Sequence, residues 1–116
     1  MALTVRVTES RPFSRTVFLE GRLNNETVGV LDEELNAVVN SPASIVVFDL
    51  AGLEYISSAG LRAILVAAKL VQVHGGAMKI CDANTTVKQV MEVSGMSSLL
   101  HLYATEKDAL AAFSVG

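Results

Sequence analysis

The sequence predicts an α/β fold with a mixed, mostly parallel five-stranded sheet and four helices, in the order β-β-α-β-α-β-α-β-α. Two observations point there. Short apolar runs rich in β-branched residues alternate with segments of helical periodicity from Val28 onward, which implies parallel strands joined by right-handed crossovers. Before them lie two strand-like stretches separated by a turn signal, which read as a hairpin. A length of 116 residues, 51% of them hydrophobic, fits one domain around one core and excludes disorder as the ground state.

Each element has a local reason. Leu3 to Thr8 alternates apolar with polar, as a strand with one buried face does. The Ser10-Arg11-Pro12 turn leads to a second strand, Thr16 to Leu19, which Gly21 is expected to end. Asn24 or Asn25 can cap the helix that follows, where Val28, Leu31, Leu35 and Val38 face the core and Asp32, Glu33 and Asn36 face solvent. Ser41-Pro42 stops it. Ile45 to Leu50 reads as a buried strand, and a connection through Gly52 delivers Ser57-Ser58 to a helix spanning Leu61 to Val73. Gly75-Gly76 closes that helix, and Ala77 to Cys81 is the fourth strand. Asn84 opens a short helix with Val87, Val90 and Met91 on one face and Gly95 at its end. Leu99 to Tyr103 is the fifth strand. Thr105 to Asp108 resembles a capping box and opens a last helix carrying Ala109, Leu110 and Phe113.

Composition narrows the function. The net charge of −3 is thinly spread, and no Lys/Arg cluster could track a phosphate backbone, so nucleic acid is not an expected partner. Leu61 to Val73, the longest apolar stretch, is interrupted by Arg62, Lys69 and Gln72 and is too short to enter a membrane as a span. The first residues lack a charged segment followed by an apolar one, so the reading is cytoplasmic. Cys81, the single cysteine, lies in an apolar run and reads as a buried structural thiol, with neither disulfide nor metal expected.

Enzyme readings find no constellation, and no cofactor is expected. Ser58 lies between Ser57 and Ala59 rather than in a nucleophile elbow. His74 and His101 stand apart from any acidic or thiol partner, and Gly75-Gly76 follows a helix instead of opening one. Ser57-Ser58 remains. One of these serines can cap the helix through its Oγ. The same location also suits a phosphate, because a helix N-terminus offers free N–H donors and partial positive charge, and Arg62 follows one turn later. Ser58, Arg62, Val66, Lys69 and Val73 form one stripe at helical spacing, while Leu61, Ile64, Leu65, Ala68 and Val71 suffice for a core face. Val66 and Val73 are then either an exposed docking patch or covered by a neighbouring helix.

These residues together resemble a STAS domain of the bacterial anti-sigma factor antagonist family. The resemblance is strongest over Asp49-Leu50-Ala51-Gly52-Leu53-Glu54-Tyr55-Ile56-Ser57-Ser58-Ala59-Gly60-Leu61 and continues through Gly75-Gly76 and Val93-Ser94-Gly95-Met96. Gly21-Arg22-Leu23-Asn24 resembles the family's Gly-Glu-Leu-Asp loop. The resemblance implies a single STAS domain over residues 1–116. It also implies a partner switch. The unmodified antagonist binds a serine-kinase anti-sigma factor and frees the sigma factor; the kinase then phosphorylates a helix-start serine with Mg-ATP, and a PP2C-type phosphatase resets the system. Carried over, the phosphoacceptor is Ser58, with Ser57 as the alternative. The partner surface expected from loop, helix start and stripe is Asn24, Asn25, Ser57, Ala59, Gly60, Arg62, Val66 and Lys69. Two positions depart from the family pattern: Ser57 and Asn24 stand where the family has aspartates, which removes negative charge beside the acceptor. That loss also keeps open a rival reading, a constitutive STAS module in a regulatory or lipid-transport assembly that is never phosphorylated.

Overall fold

A computed structural model describes residues 3–11, 13–40, 45–95 and 102–113. The elements follow the predicted order: β1 (Leu3–Arg11), β2 (Ser14–Leu23), α1 (Val28–Val39), β3 (Ile45–Ile56), α2 (Ser58–Val73), β4 (Ala77–Cys81), α3 (Thr85–Val93), β5 (Leu102–Tyr103) and α4 (Glu106–Phe113). The strands form one five-stranded sheet in sequence order. β1 pairs with β2 antiparallel, and every later pairing is parallel.

Several boundaries differ from the sequence reading, and pairing explains those of the strands. β1 runs past Thr8 through Ser10 to Arg11, which pairs with Ser14 at the start of β2, so the expected turn does not begin at Ser10, and Pro12 lies outside the described residues. Gly21 does not end β2. It sits inside the strand at φ 106°, next to a register shift against β3, so glycine's freedom at positive φ keeps the strand going. β3 does not stop at Leu50 either. It continues through Ala51-Gly52 to Ile56 because β2 supplies partners, with Gly21 opposite Leu53 and Leu23 opposite Ile56. Local propensity at Ala51-Gly52 argues against a strand, and tertiary pairing overrides it. α2 starts at Ser58 rather than Leu61. Residues 99–101 of the expected fifth strand, with His101, Ser41-Pro42 and Met96, lie outside the described residues.

The main core lies on one face of the sheet. Val17, Leu19 and Leu23 of β2, Phe48, Leu50, Leu53 and Ile56 of β3, and Ile80 of β4 pack against α1, α2 and α3. Helix α1 contributes Leu31, Leu35 and Val38 as its periodicity predicted, with Val28 partly buried. Helix α2 contributes Leu61, Ala63, Ile64, Ala67 and Val71. Ala63 and Ala67 are thus buried where Leu65 and Ala68 were expected, and these two are only partly buried against the core. On the other face Val47 and Cys81 meet Ala109 of α4 in a separate small cluster. Strand alternation sends Val46 and Phe48 to one side and Val47 and Asp49 to the other.

That second face carries a buried acidic group that sequence spacing does not reveal. Asp49 is 7% exposed and accepts a hydrogen bond from the Ala51 N–H at 2.9 Å. One ligand-type atom from each of Asp49, Cys81 and Asp82 falls within 4.8 Å of the others. Thr16 Oγ1 donates to Glu106 Oε2 at 2.7 Å, which ties α4 to β2. Burial pushes the Cys81 thiol far above its ordinary range, reinforced by Asp49, so it is a protonated, inert core residue. Burial also raises the Asp49 carboxyl; the Ala51 N–H opposes this, and the Asp82 and Glu106 charges add to it.

The sign of the pH dependence follows. The folded Asp49 holds its proton to higher pH than the unfolded chain, so it adds stability below the ordinary value of 3.8. That stability is lost as pH rises through the raised folded value. Asp49→Asn keeps an acceptor for Ala51 and drops the charge. Its melting temperature should exceed the parent's at neutral pH, and the difference should close as pH falls into the ordinary carboxylate range, as followed by circular dichroism.

Candidate functional site

The β3–α2 junction divides two jobs between two adjacent serines. Ser57 is the extended N-cap residue, at φ −94° and ψ 175°, and its Oγ accepts from the Gly60 N–H at 3.2 Å. Its backbone is committed as well: the N–H donates to the Leu23 carbonyl and the carbonyl accepts from the Leu61 N–H, both at 2.9 Å. Ser58 is the first helical residue and is exposed, and no hydrogen bond among the described residues uses its hydroxyl. The sequence left cap and acceptor compatible in one residue. In the structure the cap is Ser57.

The loop before α1 is drawn to the same place. The Ser57–Leu23 bond sets the end of β2, and hence Asn24, beside the start of α2. Asn24 Oδ1 accepts from the N–H groups of Glu26 at 2.9 Å and Thr27 at 3.2 Å, and the Asn24 N–H donates to Thr27 Oγ1 at 2.9 Å. Neither asparagine is the N-cap of α1, as the sequence suggested. That position is Thr27, whose hydroxyl instead donates to the Arg22 carbonyl at 2.8 Å. Asn24 caps the turn that precedes the helix, and Asn25 is exposed at its tip.

Gly60 makes the junction possible. A Cβ there would lie 2.8 Å from Leu23 Cγ, 2.9 Å from Ile56 Cγ1 and 3.0 Å from the Leu23 carbonyl oxygen. Gly60 is buried, so it serves the expected partner surface by bringing the helix close and not by touching a partner. Ser57 and Ala59 are half-buried, while Arg62, Val66 and Lys69 are exposed.

The outer ridge of α2 is uncovered. Val66 is 48% exposed and Val73 80% exposed, which decides the open question in favour of a free apolar surface. Grooves flank the ridge. One, of about 310 Å³, is shared with α1 and is lined by Val28, Asp32, Ala59, Arg62 and Val66, so it pairs apolar walls with two opposite charges. The other, of about 610 Å³, lies against α3 and is lined by Ser58 and Leu61 on one side and Thr86, Gln89, Val90 and Val93 on the other. Ser58 and Arg62 are thus neighbours on the ridge that line different grooves. The α3 wall was not singled out from sequence. Its signal was available: Val87 and Met91 fill the core, so Val93 falls off that face. At the far end of α2, the exposed His74 ring sits with Nδ1 2.9 Å from the Leu70 carbonyl, an end-of-helix contact away from the serines.

The fold agrees with comparisons to known proteins. The STAS domain family matches residues 4–109, and the chain belongs to that family. Its relatives include BtrV of Bordetella bronchiseptica, provisionally named an anti-sigma factor antagonist, 38% identical over 95 residues and covering 82% of each chain. Another is the anti-sigma F factor antagonist of Paenibacillus polymyxa, 30% identical over 100 residues, which cover 85% of this chain and 86% of that one. Among solved structures, the unphosphorylated form of the anti-sigma factor antagonist SpoIIAA superposes with a TM-score of 0.82 at 16% identity, covering 97% of this chain and 98% of that one. Its phosphorylated form, from Bacillus, gives 0.72 at 16% identity over 95% and 99%. No helix among the described residues is long and apolar enough to cross a membrane.

Two substitutions test the division of labour at the junction. Ser57→Ala should cost about 1 kcal/mol of stability through loss of the cap, whereas Ser58→Ala should stay within about 0.5 kcal/mol as an exposed substitution. Gly60→Ala should cost about 1–3 kcal/mol by overpacking against Leu23 and Ile56. Urea unfolding of the three variants measures all of these.

Proposed function

We propose that the chain is an anti-sigma factor antagonist switched by phosphorylation of Ser58. In its unmodified form it docks a serine-kinase anti-sigma factor through the β2–α1 loop and the part of the α2 ridge from Ser58 to Lys69, and so frees the sigma factor or other target. The kinase moves the γ-phosphoryl group of Mg-ATP to Ser58 Oγ, the complex separates, and a PP2C-type phosphatase restores the hydroxyl. The observation that carries this reading is the exposed Ser58 hydroxyl beside a capped Ser57, at the open end of a helix. The named relatives and the two forms of SpoIIAA support it.

Physical chemistry gives the switch its direction. A phosphate at Ser58 adds about −1.5 to −2 charges where the helix dipole tolerates them, so the antagonist itself stays folded. The same charge lies inside the docking surface, where disturbing a charge-sensitive contact costs on the order of 2–5 kcal/mol. The two departures from the family pattern leave the local bonding intact. Ser57 supplies the cap acceptor and Asn24 the turn acceptor that aspartates would supply, so what changes is charge and not shape. With fewer negative groups nearby, an incoming ATP meets less repulsion.

The test is phosphorylation by a purified anti-sigma factor serine kinase from the same genome with Mg-ATP, followed by peptide mass spectrometry. Phosphate should appear on Ser58 and not on Ser57. Ser58→Ala should remain bound to the kinase when ATP is added, and Ser58→Asp should bind at least tenfold more weakly. An unmodified Ser57-Ser58 peptide, with the kinase active on a control substrate, would turn the assignment towards a constitutive STAS interaction module.

A further inference from the structure

A groove opens between the start of α2 and the outer wall of α3. Val87 and Met91 already turn α3 onto the core, where both are fully buried. Thr86, Gln89, Val90 and Val93 recur at i, i+3, i+4 and i+7 and form a second stripe facing the groove. Val90 is half-buried, and Val93 is 89% exposed, so the far end of this wall is an apolar side chain with almost nothing over it. The described residues lining the groove carry no charge, whereas Asp32 and Arg62 both line the groove on the α1 side of the ridge.

We propose that this groove seats an apolar segment of the kinase, with Val90 and Val93 as its anchors, so that α3 helps select which kinase reaches Ser58. The proposal rests on the kinase reading above and extends it to an element that reading did not use. Its main support is area. A stable interface covers on the order of 800 Å² on each partner, a disc of about 16 Å radius. Ser58 itself lines the groove, and Thr86 to Val93 spans only about 10 Å of helix. A kinase whose catalytic cleft is centred on Ser58 therefore covers this wall. A volume of about 610 Å³ with uncharged lining favours apolar side chains there over a charged loop. Val73, about 22 Å along α2 from Ser58, lies beyond the same disc.

The experiment compares Val93→Glu and Val93→Ala with Val73→Glu, using the purified kinase, by binding titration and by steady-state phosphorylation of Ser58. Both valines are highly exposed, so all three variants should keep the parent's melting temperature. Val93→Glu should raise the Kd for the kinase at least tenfold and raise KM with kcat unchanged. Val93→Ala should move in the same direction by less, and Val73→Glu should match the parent. If the parent is phosphorylated and Val93→Glu shows the same KM and Kd, the groove is not a kinase seat and the kinase reading survives. If the parent is never phosphorylated, both fall. Equal losses in Val93→Glu and Val73→Glu would show a general charge effect and overturn the proposal. So would a Val93→Glu variant that only changes self-association by gel filtration or only releases a bound fatty acid.

Discussion

The hydrogen bond from the Ser57 N–H to the Leu23 carbonyl is the constraint on which the functional end of this protein depends. It joins the last residue of β2 to the residue that caps α2, and so fixes a loop and a helix start that are far apart in sequence. Gly60 is its steric counterpart. With a side chain there, the first turn of α2 would collide with Leu23 and Ile56, and the junction would open. Gly60 is thus a packing requirement and Ser57 a capping requirement, while no hydrogen bond among the described residues uses the Ser58 hydroxyl.

The sheet distributes the remaining tasks by face. Three helices crowd one side and bury the main core, which leaves α2 held from below but free along its outer ridge. The other side is served by α4 and holds the buried Asp49 and Cys81, with the half-buried Asp82 beside them. The buried Asp49 carboxyl lies on the opposite face of the sheet from α2, whereas the Asp32 carboxyl lines the α1–α2 groove with Ala59 and Arg62.

The ridge of α2 separates two unlike grooves, and this asymmetry gives the surface an orientation. One groove offers a charge pair beside apolar walls, and the other is uncharged. A partner that fits both cannot dock in reverse without placing charge against the Val90–Val93 wall. Ser58 lies on the uncharged side, so the proposed phosphate would add its charge where a bound surface is least prepared for it.

Much of this was legible from residue order alone. Periodicity and turn residues determined the element types and their order, the hairpin, the core faces of α1 and α2, and the buried character of Cys81, because each depends on neighbours in sequence. The helix-start serines were visible for the same reason. Tertiary structure decided the rest. β3 runs through Ala51-Gly52 because β2 pairs with it, and Asn24 lies beside Ser57 through a backbone bond that leaves no trace in composition. Which serine caps and which is free, whether Val66 and Val73 are covered, and that α3 forms a second groove wall all depend on how helices sit on the sheet. Whether an outer face is covered depends on surfaces brought together from distant parts of the chain, so the local pattern left these points open.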